Sequence, residues 1–297
     1  MKILITGAEG QLGRALEKII TKQESPLGDL ELFHKNIYLS AASKDKLDIT
    51  NLKRLTEVFD ANSFDVVINC AAYTNVDKCE GDEKTAYTVN TLGVKNLAQA
   101  VSKTGGRLIH ISTNYVFDGE KSEPYTEDDR FNPINVYGKT KLLGELCALE
   151  ACENTAVLRS SWLYGDNSRN FVRTILSLSN IQKEVKVAND QRGTPTSCDE
   201  LAHHILKLSV SDYCGIFHCS AVGDTTWYDY ARYILKLSGS DCVITPCSTK
   251  ETERAAKRPK YSVLENKRLA ETVGDSMSRW ESSLEKYIQT LKKAGEL

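Results

Sequence analysis

The stretch KILITGAEGQLG at residues 2–13 constrains this chain more than any other. A compact run of β-branched and aliphatic residues suits a strand buried on both faces of a sheet, and Gly7, Gly10 and Gly13 follow it in G-x-x-G-x-x-G spacing. A helical pattern, QLGRALEKII, begins at once. Glycines at such a turn permit a tight reversal, and they let backbone N–H groups at the helix N-terminus approach a pyrophosphate. A glycine triplet alone also ends strands for structural reasons; its setting between a strand and a helix is what points to a dinucleotide.

The same alternation continues. Short apolar runs recur at residues 36–41, 65–70, 107–112 and 156–160, separated by segments such as EKTAYTVNTLGVKNLAQAV in which apolar residues return every three or four positions. This predicts an α/β fold, a Rossmann-type doubly wound parallel sheet with right-handed crossovers. Past residue 161 the alternation loosens. The expected organisation is therefore an NAD(P)-binding domain over residues 1–161 and a smaller, mainly substrate-binding C-terminal lobe over 162–297. Segments 184–188 and 215–220 are candidates to cross back to the sheet.

Composition narrows the function classes. With a formal net charge of -2 and 26% charged residues, the chain has no basic field for nucleic acid. The first apolar run reaches Gly7 too early to be a secretory or membrane-spanning segment, so a cytoplasmic protein without a membrane partner is expected. Nine cysteines, an odd number with no CxxC pair, fit reduced core residues better than disulfides or a metal site. The adjacent His203 and His204 lack the i, i+4 spacing of a helical zinc motif, and there is no G-x-S-x-G hydrolase elbow.

After the second expected strand, an acidic residue on the ribose 2′-hydroxyl would select NAD. SAASKDKLDIT occupies that region; Ser43 and Lys44 would accept a 2′-phosphate, so NADPH is expected, with NADH also acceptable. Further on, HISTNYVFDG places Ser112 and Thr113 at the edge of the fourth strand where open α/β sheets hold ligands. In NVYGKTK, Tyr137 and Lys141 are four residues apart and share a helix face. A tyrosine donates a proton usefully near neutrality if a cation lowers its pKa from about 10, and a lysine ammonium would do so while also bonding the nicotinamide ribose. Thr113 would hold the substrate oxygen.

TGAEGQLG, LDIT (47–50), NCAAYTNVDKCE (69–80), STNYVFDG (112–119), VYGKTKLLGE (136–145), RSSWLYG (159–165), DQRGTPT (190–196) and RPKYSVL (258–264) together resemble the extended short-chain dehydrogenase/reductase superfamily. Within it the chain is most similar to the dTDP-4-dehydrorhamnose reductases. That resemblance implies NAD(P)H-dependent reduction of the C4 keto group of a nucleotide-linked 4-keto-6-deoxy sugar. Thr113, Tyr137 and Lys141 would form the catalytic group. Gly7, Gly10, Gln11, Leu12, Asp48, Ile49, Ala71, Ala72, Tyr73 and Lys141 would line the cofactor, and Thr74, Val76, Asn114, Tyr115 and Trp162 would face the sugar. Asn170, Arg192 and Thr194 would meet the nucleotide. Asn90 would either support the catalytic group or serve the helix that carries it. Some relatives bind magnesium at a dimer contact; no ligand set is assignable here, and a homodimer stays open.

Two positions depart from the family pattern. Glu9 and Asn114 stand where asparagine and aspartate are usual, and the second, beside Thr113, implies altered chemistry. Asn114 and Tyr115 also replace the Asp-Glu pair of the related 4,6-dehydratases, which argues against dehydration, while the missing NAD-selecting carboxylate disfavours a 4-epimerase. The alternative from another class is a non-catalytic NADP-binding regulatory subunit like the methionine adenosyltransferase β-subunit, or a reductase of another nucleotide-linked ketosugar.

Overall fold

The computed structural model describes residues 1–166, 169–252 and 254–297. Its centre is a six-stranded sheet of β1 (Lys2–Thr6), β2 (Tyr38–Ala42), β3 (Val66–Asn69), β4 (Arg107–Thr113), β5 (Thr155–Ser160) and β6 (Gly215–His218). The spatial order is β6-β5-β4-β3-β1-β2, and every pairing is parallel. Chain direction across the sheet reverses between β1 and β3, which opens a crevice at their C-terminal ends.

Alternation along each strand divides the core. Ile3, Ile5, Ile109, Ile111, Ala156 and Leu158 face one side, packed with α1 (Gln11–Lys22) and the helix Cys198–Ser209. Leu4, Val67 and Leu108 face the other, packed with α2 (Val94–Lys103) and α3 (Val136–Ala151). On this second face the apolar pattern gives way near the C-terminal edge. Thr6, Asn69 and His110 lie side by side in register, as do Ser112, Arg159 and His218, and all six are buried.

Segment 215–218 enters the central sheet beside β5. Segment 184–188 does not: Glu184–Ala188 pairs in parallel with Val243–Cys247 in a separate two-stranded sheet. The physical reason is its one-sided pattern, since Glu184 and Lys186 point to solvent and could not be covered on both faces as a central strand requires. All nine cysteines are free thiols.

Helix α3 reaches the sheet edge because two of its residues lack side chains. A Cβ on Gly138 would lie 2.1 Å from the Tyr115 carbonyl oxygen, and one on Gly144 would lie 2.1 Å from that of Asn90, in the single π-helical turn Thr88–Gly93. In an unconstrained helix, glycine to alanine stabilises by about 1 kcal/mol. Here the sign is expected to reverse: Gly144→Ala should lose about 1–3 kcal/mol in urea unfolding. An unchanged or raised midpoint would contradict this packing.

Candidate active site

The turn after β1 has the geometry its glycines imply. Gly7 has φ +65°, and a Cβ there would meet the Ala71 backbone nitrogen at 2.6 Å; one on Gly13 would meet the Ala8 Cα at 2.6 Å. Helix α1 therefore starts directly over the β1–β3 crevice. A cleft of about 230 Å³ opens there, bounded by Gly7, Gly10, Gln11 and Leu12 on one side, Ala72 and Thr74 after β3, and Ser112, Tyr137 and Lys141 beyond. The Gln11 side chain donates to the Leu163 carbonyl at 3.1 Å, while its own carbonyl oxygen is buried without a partner among the described residues. A cradle closed to side chains, ending in an orphaned acceptor, fits a dinucleotide pyrophosphate and its ribose. A larger groove of about 530 Å³ runs outside α1 and shares Gln11; across it Lys18 bonds Asp166 at 3.3 Å and Asp199 at 3.2 Å.

Thr113, Tyr137 and Lys141 converge at the inner end of the cleft. Asn135 caps α3 by accepting from the Gly138 N–H at 2.7 Å, which fixes the first helical turn, Tyr137 included. The Tyr137 phenol interacts with the Thr113 hydroxyl, and its ring meets Tyr115 edge-on with centroids 5.9 Å apart. Lys141, 2% exposed, donates to the Ile111 carbonyl oxygen at 2.6 Å. Burial pulls its ammonium from 10.5 down to about 8, against the opposing influence of Glu145 and Cys70.

One expectation changes here. Lys141 is engaged by a neutral carbonyl, so it does not depress the phenol; burial pushes Tyr137 above its usual 10, and the Thr113 hydrogen bond offsets only part of this. The phenol is therefore held protonated through the neutral range.

Behind Thr113, Tyr137 and Lys141 lies a buried polar row. Thr6 Oγ1 donates to Asn69 Oδ1 at 2.7 Å, and Asn69 Nδ2 lies 3.0 Å from His110 Nδ1. Because the Asn69 oxygen already accepts from Thr6 and from the Ala71 N–H, its amide nitrogen is the donor, and His110 carries its proton on Nε2. Burial, then the Lys141 charge, hold that imidazole neutral, well below 6.5. Asn90 serves the site as a brace: its side chain accepts from the Tyr73 N–H at 2.8 Å and donates to the Tyr73 carbonyl and to Thr140 Oγ1, each at 3.1 Å.

Other expected residues lie elsewhere. Ser43 and exposed Lys44 follow β2 at the same sheet edge as the glycine turn, where the Ala8 N–H meets the Ala42 carbonyl. Asp48 accepts from the Thr50 N–H and hydroxyl, and Ile49 is core, packed near Gly93. Ala71 lies under Gly7, and half-buried Val76 starts the short helix Val76–Gly81. Asn114, 2% exposed, accepts from the Thr113 hydroxyl at 3.3 Å and donates to the Ser262 carbonyl at 3.2 Å. Trp162 has the left-handed φ of 45°, rare for a bulky residue, and stacks on Trp227 with centroids 3.5 Å apart. Trp227 thus covers one of its broad faces.

The three nucleotide-end candidates are engaged within the protein. Asn170 accepts from the Arg173 N–H and donates to the Gly165 carbonyl, capping a helix; fully buried Thr194 donates to the Gly223 carbonyl; Arg192 pairs with Asp224. Sequence reading missed Arg169, an exposed cation on the rim of the cleft, because its loop carries no pattern. Among the described residues no cluster of three or more His, Cys, Asp or Glu side chains is arranged to hold a metal ion, and no helix is long and apolar enough to cross a membrane.

Comparison with known proteins follows the same lines. The family model described as the RmlD substrate binding domain matches residues 1–293. The chain belongs to this family. It is 34% identical, over 100% of its length and 99% of the relative's, to a dTDP-4-dehydrorhamnose reductase of Sinorhizobium fredii. It is also 35% identical to the spore coat polysaccharide biosynthesis protein SpsK of Bacillus subtilis, covering 99% of each. Among solved structures, a dTDP-4-dehydrorhamnose reductase of Clostridium acetobutylicum ATCC 824 is 46% identical with a TM-score of 0.92, covering 98% of this chain and 100% of that one. The Bacillus anthracis enzyme of the same name, in complex with NADP, is 35% identical with a TM-score of 0.89, covering 97% and 99%.

The Lys141 shift gives a signed stability prediction for this member of the RmlD family. Between pH 8 and 10.5 the unfolded chain holds a proton on Lys141 that the folded chain has lost, so this residue's contribution to stability rises with pH. Relative to Lys141→Met, the wild type should gain up to about 3 kcal/mol between pH 7 and pH 10.5. Paired urea titrations under reducing conditions check it, and a pH-independent difference would refute it.

Proposed function

We propose that the protein reduces the C4 keto group of dTDP-4-dehydro-L-rhamnose to give dTDP-L-rhamnose, with NADPH as the preferred cofactor, in the cytoplasm. The observation that carries this reading is the meeting of Thr113, Tyr137 and Lys141 at the inner end of a glycine-lined cleft. The names of its relatives in Sinorhizobium fredii and Clostridium acetobutylicum and the NADP in the Bacillus anthracis structure support it.

NADPH, when bound, supplies hydride to C4 of the sugar. The turn at Gly7, Gly10 and Gln11 would hold its pyrophosphate, and Ser43 with Lys44 would receive the 2′-phosphate. No carboxylate stands directly after β2 to repel that group. Thr113 orients the keto oxygen, and Tyr137, kept protonated by burial, donates its proton to that oxygen. The resulting phenolate is the species a lysine ammonium favours, so Lys141 acts when charge develops on Tyr137 rather than before it. Arg169 adds positive charge at the rim for a phosphate-bearing ligand.

Asn114 and Tyr115 in place of an acid–base carboxylate pair beside Thr113 count against the dehydratase reading, and the lack of an NAD-selecting carboxylate directly after β2 counts against the epimerase. The regulatory-subunit reading has a direct test. NADPH absorbance should fall on addition of dTDP-4-dehydrorhamnose, and Tyr137→Phe should lower kcat by about 10²–10⁴-fold. Equal rates for the two proteins would refute the mechanism. Binding of NADPH without turnover by the wild type would favour the regulatory reading.

A further inference from the structure

We propose that Glu145, clamped by Arg159, is a positioning residue for Thr113, Tyr137 and Lys141: it fixes the end of β4 through Ser112 and places a fixed negative charge beside Lys141. This rests on the reading given under Proposed function and adds a member to that site.

Tyr137, Lys141 and Glu145 stand at i, i+4 and i+8 on one face of α3. Each engages one of the last three residues of β4: Tyr137 the Thr113 hydroxyl, Lys141 the Ile111 carbonyl, and Glu145 the Ser112 hydroxyl, which donates to its Oε1. The strand end bearing Thr113 is thus held at three consecutive residues by one helix face.

Glu145 is fully buried and cannot wander. Arg159 Nε donates to its two oxygens at 3.0 and 3.1 Å, and Arg159 Nη2 donates to Oε2 at 2.6 Å. Arg159 is held in turn over the Phe117 ring, 5.2 Å from its centroid, and lies directly opposite Ser112 in the β4–β5 register. A buried ion pair is poor value as a stabiliser, since apolar residues of similar volume do as well or better. Its location supplies another use.

The titratable groups acting on or packed around the Lys141 ammonium are Glu145 and Tyr137 from its own helix, Cys70 from the end of β3 and His110 from β4. Burial keeps the Cys70 thiol, pushed up to about 12, and the His110 imidazole neutral at pH 7, and Tyr137 is protonated. Of these four, Glu145 is the one held in an ion pair, by Arg159, and it, rather than that arginine, acts on Lys141, favouring the ammonium that must meet a phenolate during reduction.

The test compares the full-length wild type with Ser112→Ala, Glu145→Gln and the apolar double variant Glu145→Leu/Arg159→Met, all with unfolding midpoints recorded. The Lys141 ε-carbon NMR signal, assigned by its absence in Lys141→Met, is titrated from pH 6 to 11, and kcat and KM are measured across the stable range. In the double variant the titration midpoint should fall by about one pH unit, with the alkaline limb of kcat following it. Ser112→Ala should keep the Lys141 midpoint but lose about tenfold in kcat with KM little changed. A double variant that titrates and turns over like wild type would overturn the proposal; should it fail to fold, an unshifted Lys141 midpoint in Glu145→Gln would do so. A wild type inactive on the sugar would sink the function proposed above, while the NMR titration would still decide the role of Glu145.

Discussion

The close seating of α3 against the sheet edge is the constraint on which the site depends. It requires two positions with nothing beyond Cα, Gly138 over the Tyr115 carbonyl and Gly144 over the Asn90 carbonyl. Interiors packed to crystal density do not yield to an extra methyl group without displacing backbone. Moved outward, the helix would carry Tyr137 away from Thr113 and Lys141 away from Ile111, and the cleft would lose its inner wall. The π-helical turn at Thr88–Gly93 belongs to the same arrangement, since it presents the Asn90 carbonyl to Gly144 while the Asn90 side chain braces Tyr73 and Thr140.

The sheet meets this helix with a divided face. On the side facing α1 the strands stay apolar through Ile5, Ile68, Ile111, Leu158 and Phe217, whereas the side facing α3 turns polar at Thr6, Asn69, His110, Ser112, Arg159 and His218. Buried polar groups are costly unless bonded, and here most of them are: Thr6 to Asn69, Asn69 to His110, Ser112 and Arg159 to Glu145. A layer of this kind resists sliding in a way an apolar layer does not, because a shift of one residue would break every bond at once. Precision at Thr113 follows from that stiffness.

Much of this was legible in the sequence, because it rests on local pattern. The six central strands appear as short apolar runs, the tight turn after β1 as glycines between a strand and a helix, and the tyrosine–lysine pair as spacing. Legibility failed where a residue's partner lies far along the chain. Glu184 and Lys186 gave 184–188 a one-sided strand that only Val243–Cys247 could complete. Thr194 donates its hydroxyl to the carbonyl of Gly223, a partner that nothing near it in the sequence announces. The direction of the Tyr137 shift was also hidden, because spacing puts Lys141 on the right face but says nothing of the Ile111 carbonyl that holds it.

Asn114 shows how a departure from a family pattern acquires meaning only in three dimensions. Beside Thr113, an amide in place of a carboxylate reads as a lost charge. In the fold both of its ends are used: the oxygen accepts from Thr113 and the nitrogen donates to the Ser262 carbonyl. A carboxylate of the same shape can make the first bond but not the second, and it would face a carbonyl oxygen without a proton to offer. The extended segment that carries Ser262 is already tied across the site, through Arg258 to Asp77 at 2.7 and 3.0 Å and through the Lys257 carbonyl to Asn135, the residue that caps α3. Asn114 closes that circuit at Thr113. The amide therefore joins Thr113 to the C-terminal segment 257–262, which Lys257 in turn ties to the start of α3, so an amide at this position exchanges a charge for a mechanical link between the two walls of the site.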